Sequence, residues 1–362
     1  MTKKLLLLNG LAILMIPLQH AGGYGFQAMF EWTDRYRQVT SLPNFDLLGT
    51  PAYYGILVLR QLATFSVPSF LFISGYFLAF LARGKDAKVT WSKVLPRIKV
   101  LLFPFVIWTV IRYAFVLRSW PTSLDDLLDP YAFVPILIQF YLLSPLLVPI
   151  ARKRWKLFLA IFALMHLALQ VTRALNSIDV HFPGQVLLLT ATPRWFFLGQ
   201  QPFWFPFGLV FGLHFQKYTE QLVQLRPKLL VGTVILFVLS IVEYLVADTL
   251  NPAAWIGPTY SGVALNFYII AAMLLILSLD ESKFPYSKTI SDLGTKSLGI
   301  YMGNIPAIFL TAFMMYHLTS WALGVQLLYV PILFTAGLGG PLLFMWIVRK
   351  TPLRPAYRYL FG

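Results

Sequence analysis

The chain has 362 residues, 58% of them hydrophobic and only 12% charged, with 31 Phe, 18 Tyr and 10 Trp. Soluble domains carry roughly 25% charged residues, so a water-soluble globule is excluded, and the length suits one membrane domain without a large soluble partner. With no cysteine in the sequence, a disulfide framework, a thiol nucleophile and a Cys-based zinc site are excluded too.

Ten apolar runs approach the ~20 residues that a helix needs to cross a bilayer. In chain order they fall near 5–21, 52–81, 100–117, 132–151, 157–171, 196–215, 229–247, 261–279, 297–315 and 325–348. The first, "LNGLAILMIPLQH", follows Lys3 and Lys4 and closes on His20. A cleaved leader would place small residues at its cleavage positions, and Gln19 fits that poorly, so an uncleaved span is expected. The fifth run is short, and Gln200, Gln201 and Pro202 interrupt the sixth. Pro17, Pro68, Pro104 and Pro145 lie in or near other runs, where neighbouring groups can satisfy the carbonyls that proline frees. The expected fold is an all-α polytopic bundle of about ten membrane helices. Residues 1–351 would form one transmembrane domain and 352–362 a short cytoplasmic tail. The longest outer loops, 22–51 and 172–194, are rich in aromatic and polar residues.

The formal charge of +15 is very unevenly placed. With the N-terminus inside, the inner segments hold 22 of the 29 Lys and Arg residues, including the run Arg83–Lys99 and "RKRWK" at 152–156. The acids of "SLDDLLDP" fall outside. This asymmetry predicts N-in, C-in topology. The charge then marks topology and contact with anionic lipid heads rather than nucleic acid.

Ionisable groups inside a bilayer cost a few kcal/mol and usually face a cavity. His20 lies 11 residues after Asn9, which places both on one helix face roughly 16 Å apart along the axis. The plain alternative is an imidazole resting in the outer interface. Arg60, in the second run, reaches a depth comparable with His20, or snorkels to head groups. Arg97 and Lys99 stand at the inner mouth of the third run, where ordinary flanking charges also occur. Glu243, in "LSIVEYLVA", is the carboxylate set deepest in an apolar run; a structural ion pair and a catalytic role are both open to it. Asn266 and Asn304 are read as interhelix hydrogen bonders. His166 and His317 are read as interfacial, His181 as a loop residue and His214 as lying at an inner helix end.

Several segments in order give the chain a family likeness. "LNGLAILMIPLQH" resembles the first helix of the membrane acyltransferase 3 family. "SVPSFLFISGYFLAF" resembles its second-helix motif, "PRIKVLLFPFVIW" the following basic segment, and "LGTKSLGIYMGNIPAI" a late one. "QFYLLSPLL" is similar to the family's Tyr-Leu-x-x-Pro stretch. Asn9 stands where the family usually has Arg, and Asn304 where it has His. The resemblance implies a multi-pass protein of the bacterial cytoplasmic membrane. It implies transfer of an acetyl or other acyl group from cytoplasmic acyl-CoA (acetyl-CoA) to an extracytoplasmic glycan or glycolipid. By motif, His20 matches the essential histidine, Ser74, Gly75 and Tyr76 the second-helix signature, and Arg97 the donor-side basic residue. The segment Arg60 to Tyr76 looks most like members that modify surface polysaccharides.

The chemistry suits these residues independently. A neutral imidazole can take the proton from a hydroxyl attacking a thioester, and Arg60, Ser or Asn donors can stabilise the oxyanion. Arg97, Lys99 and the loop Arg83–Lys93 would dock CoA phosphates. A transporter or flippase of a lipid-linked sugar, with His20 and Glu243 as a proton relay, is the rival reading. It predicts internal symmetry with matched broken helices, and no convincing pair is visible. An inactive relative of the acyltransferases is the third.

Overall fold

The computed structural model describes residues 2–82, 89–117, 120–178, 180, 192–215, 219–250 and 262–362. His181, Lys217 and the basic residues Arg83, Lys85 and Lys88 of the expected donor dock lie outside them. All regular elements among the described residues are helical. The long ones are α1 (Thr2–Phe30), α2 (Pro51–Ala63), α3 (Ser66–Leu81), α4 (Trp91–Ile111), α5 (Phe133–Lys153) and α6 (Trp155–Ser177). They continue as α7 (Trp204–Val210), α8 (Arg226–Leu250), α9 (Val263–Ser278), α10 (Ser287–Thr295), α11 (Ser297–Leu318) and α12 (Gln326–Lys350).

Among the described residues eight stretches are long and apolar enough to cross a membrane, with α2 and α3 counted as one; Trp204–Phe215 and Val263–Ser278 are shorter apolar helices. The protein is therefore an all-helical membrane protein. The lipid-facing surfaces follow the 3.6-residue period. Val231, Val234, Ile235, Val238 and Val242 on α8 are each about half exposed, as are Leu102, Phe103, Val106 and Val110 on α4. In water such stripes would be a liability; against acyl chains they are matched.

Three boundaries differ from the sequence expectation. The first helix does not stop near Ala21 but runs on through Gly22, Gly23 and Gly25 to Phe30. Burial supports it: Phe26, Ala28, Met29 and Phe30 pack with Tyr53, Ile56, Leu57 and Tyr329 in an outer core. Packing outweighs the weak helix propensity of glycine, roughly 1 kcal/mol per residue. His20 thus sits within a helix rather than at its end. The fifth run is not short, since α6 spans 23 residues. The sixth is a helix only from Trp204, because the chain through Gln200, Gln201 and Pro202 is irregular, with turns on either side.

The second membrane stretch breaks at Thr64 and Phe65. Pro68 has no N–H to offer the Thr64 carbonyl, so the helix cannot run through unbroken. Hydroxyls take up part of the loss: Thr64, Ser66 and Ser69 donate to the carbonyls of Gln61, Ala63 and Phe65 at 2.7–2.8 Å.

Two seams hold the centre. A β-carbon built on Gly75 would collide with the Phe205 carbonyl oxygen, and one on Gly208 with the Phe72 carbonyl oxygen. There α3 and α7 touch backbone to backbone, as small residues permit in membrane helices. Gly10 of α1 meets the Ile290 carbonyl of α10 in the same way. The segment after α12 folds back as a short helix, Tyr357–Phe361. Phe361 is buried against Gly299, and Trp108 Nε1 donates to the Leu360 carbonyl at 2.8 Å.

Candidate functional site

The continuation of α1 creates a polar stripe. Ile16, Gln19, His20, Gly23, Tyr24, Gln27 and Glu31 follow at spacings of one, three and four, so they share one face. That face lines a cavity of about 540 Å³. Arg60 enters the same cavity from the end of α2. Its stem crosses α1 at Gly22, where an added β-carbon would lie 2.7 Å from Arg60 Cγ. Its guanidinium carbon stands 5.5 Å from the Phe26 ring centroid, and Arg60 is the charged group acting on His20. A cation over a ring face is held more strongly when water is scarce.

The far wall comes from the turn before α5 and the segment before α7, with Asp129, Ala132, Phe133, Arg194, Gln200 and Gln201. Burial pushes the Asp129 carboxyl above the usual carboxylate range, while Arg194 pulls it the other way. The Asp129 Oδ1 and the Gln201 Oε1 are both buried without a protein hydrogen-bond partner. Buried acceptors left open by the protein are rare and call for an account. Here they edge a cavity that can hold a hydroxyl-bearing ligand.

A second cavity of about 200 Å³ adjoins it, reached nearer the start of α1. Asn9, Ser74, Ser297, Phe77, Leu101 and Leu298 are among its lining residues. Beside it, the Tyr141 phenol makes side-chain hydrogen bonds with both Ser74 and Arg97. The second-helix motif, the basic segment and "QFYLLSPLL" therefore converge at one place. Arg97 is partly buried there and Lys99 is exposed.

Asn9 Nδ2 donates to the Gly294 carbonyl at 2.6 Å and to Ser297 Oγ at 3.2 Å. The residue that departs from the family thus ties α1 to the late segment.

Not all the expected site residues meet. Gly75 belongs to the α3–α7 seam, and Tyr76 is fully buried, its ring 5.3 Å from that of Phe80. Neither lines the two cavities. Glu243 also lies outside both. Its two oxygens accept from the backbone amides of Val263 (2.7 Å) and Ala264 (2.9 Å). The carboxylate thereby satisfies open donors at the start of α9, where the helix dipole also favours it. Expected from this, Glu243→Gln lowers the thermal midpoint of the purified protein and Glu243→Ala lowers it further. The first loss should be about 1–2 kcal/mol, the scale of a charge-assisted hydrogen bond.

Asn304 is buried, its amide nitrogen donating to the Tyr301 carbonyl at 2.5 Å and the Ile300 carbonyl at 3.3 Å. It turns inward on its own helix rather than across to another. Asn266 does bridge helices, with Oδ1 2.7 Å from His166 Nε2. His166 is accordingly not interfacial: it is 6% exposed and packs on Phe203 and Trp204.

Sequence reasoning missed Tyr24, Gln27, Glu31, Asp129 and Arg194. The first three had a signal, the three- and four-residue spacing counted on from His20. Asp129 and Arg194 had none, since they reach the cavity only through tertiary packing.

The family model for acyltransferase 3, described as an acyltransferase domain, matches residues 5–348. No curated protein and no solved structure matches the chain.

Proposed function

The chain belongs to the acyltransferase 3 family and is a membrane acyltransferase, and on that premise we propose that it moves an acetyl or other acyl group from acyl-CoA to a hydroxyl of a glycan or glycolipid. The reaction runs between the two cavities. In the larger one, His20 accepts the proton of the acceptor hydroxyl while the hydroxyl oxygen bonds to the thioester carbonyl carbon. The C–S bond breaks, and the departing thiolate receives the proton from the imidazolium. Arg60, beside His20, is placed to stabilise the oxyanion. On the side of the smaller one, Arg97, held by Tyr141, and Lys99 supply cationic donors for CoA phosphates.

Orientation follows from the basic segments: the Ser74–Arg97 end is cytoplasmic and the His20 end extracytoplasmic, in the cytoplasmic membrane of a bacterium. The larger cavity then opens toward surface glycans. Its mixture of amide, carboxylate and guanidinium groups offers both donors and acceptors to sugar hydroxyls.

The observation that carries the reading is the pair of adjoining cavities that follow one another along α1 and α3. His20 lies in one and Ser74, joined to Arg97 through Tyr141, beside the other. The test is acyl-CoA labelled differently in its acyl and nucleotide parts, supplied to the cytoplasmic face of membranes with and without the chain. The acyl label alone is expected on glycan at the far face. Glycan crossing without acyl label, in a manner that depends on Glu243, would favour a flippase instead.

A further inference from the structure

The two cavities share two lining residues, Phe133 and Tyr301. Four helices line both cavities. On α1 the smaller cavity takes Asn9 and the larger takes Ile16 onward; on α3 it takes Phe70–Phe77 and the larger takes Val67. On α5 the two cavities interleave, with Ile136 in the larger and Leu137 in the smaller, and on α11 Ser297 lies in the smaller with Tyr301 at the boundary. The Phe133 and Tyr301 rings meet edge-on, with centroids 5.4 Å apart at 70°. Phe70 backs Phe133 at 5.6 Å, and Tyr131 backs Tyr301 at 6.1 Å. Both partition rings are almost fully buried.

We propose that Phe133 and Tyr301 form an aromatic partition that seals donor from acceptor and swings aside to admit the acyl thioester to His20. This rests on the acyltransferase reading. The physical ground is that an aromatic side chain moves between staggered wells about its first torsion. The helices α1 and α3 that also line the cavities are clasped backbone to backbone at Gly10 and Gly75, so a side-chain swing is the smaller adjustment. A closed partition keeps water from the larger cavity away from the thioester. Opened without acceptor, it allows hydrolysis: water oxygen bonds to the acyl carbon, the C–S bond breaks, and carboxylate, thiol and a proton result. Phe133 and Tyr301 are thus positioning residues, controlling where the thioester meets its nucleophile.

The cysteine-free sequence permits a direct test. Gln27→Cys reports the larger cavity and Ser74→Cys the smaller, each placed singly in the full chain in sealed vesicles. A charged, membrane-impermeant maleimide applied at the face that labels Gln27→Cys should leave Ser74→Cys unlabelled. Adding Phe133→Ala should raise Ser74→Cys labelling from that face severalfold, with Phe133→Leu intermediate. Unchanged Gln27→Cys labelling in the Phe133→Ala background shows that the variant has kept its fold. Equal labelling of Ser74→Cys from that face with or without Phe133→Ala overturns the partition.

The activity arm uses labelled acetyl-CoA, first without acceptor to read hydrolysis and then with glycan acceptor to read transfer. Phe133→Ala is expected to release free acetate severalfold faster than wild type and to transfer less per thioester consumed. Wild-type hydrolysis with wild-type transfer in that variant also overturns the proposal. Failure of the wild type to transfer any acyl group sinks the enzymatic reading instead, and the maleimide arm still decides whether the partition exists.

Discussion

His20→Ala is expected to slow acyl transfer by about 10²–10⁴-fold, the usual worth of a positioned general base. The structural setting makes this the strongest functional prediction. His20 lies on the polar stripe of α1, faces a cavity of about 540 Å³ and has Arg60 as its charged neighbour. Removing the ring takes away the proton acceptor but leaves cavity, guanidinium and donor side in place. The decrease should therefore appear in kcat, with little change in the KM for acyl-CoA. His20→Gln, which keeps an amide in the same space, should be as slow as Ala, because an amide cannot take the proton. Added imidazole should restore part of the rate to the Ala variant alone, since only there has the space been vacated. Transfer within twofold or so of wild type in both variants would remove His20 from the mechanism, because a base is worth far more than that.

The second large effect is on folding. Gly75→Ala should cut the yield of folded protein and lower its melting midpoint, with Gly208→Ala behaving alike. Overpacking ordinarily costs about 1–3 kcal/mol. Here the atom met by the new methyl is a carbonyl oxygen of the facing helix, not a side-chain end that can rotate away. The cost should fall at the top of that range or above it. Ser74→Ala, one residue earlier, is the informative contrast. Ser74 lines the smaller cavity and is held by Tyr141 rather than by the seam, so its loss should raise the KM for the donor while leaving the melting midpoint close to wild type. Thermal scans of the three variants in one detergent, beside their donor kinetics, separate the fold-bearing and site-bearing halves of "FISGY". Equal melting midpoints for Gly75→Ala and wild type would show that the seam yields.

The all-helical membrane class was legible because lipid demands long apolar runs, and the long helices overlap those runs while differing from them in number and ends. His20, Arg60 and Arg97 were legible because charge and imidazole are conspicuous in an apolar background. The course of α1 beyond Ala21 was not. Three glycines within four residues read locally as a terminus, whereas close packing against Arg60 and Ile56 makes Gly22 and Gly25 the residues that fit. Glu243 was conspicuous for the same reason as His20, yet its partners are backbone amides 20 residues downstream. No side-chain pattern announces such a partner. The partition eluded sequence reasoning for the opposite reason: Phe133 and Tyr301 are two aromatics among 59, and only their position between two cavities distinguishes them.

The backbone seams carry a wider consequence. Where two helices meet through glycine, no side chain stands between them to absorb a change on either face. Gly75 against Phe205, Gly208 against Phe72 and Gly10 against Ile290 are joints of this kind. At these seams the frame is jointed like masonry, and a bulkier residue on either face would have to push whole helices apart.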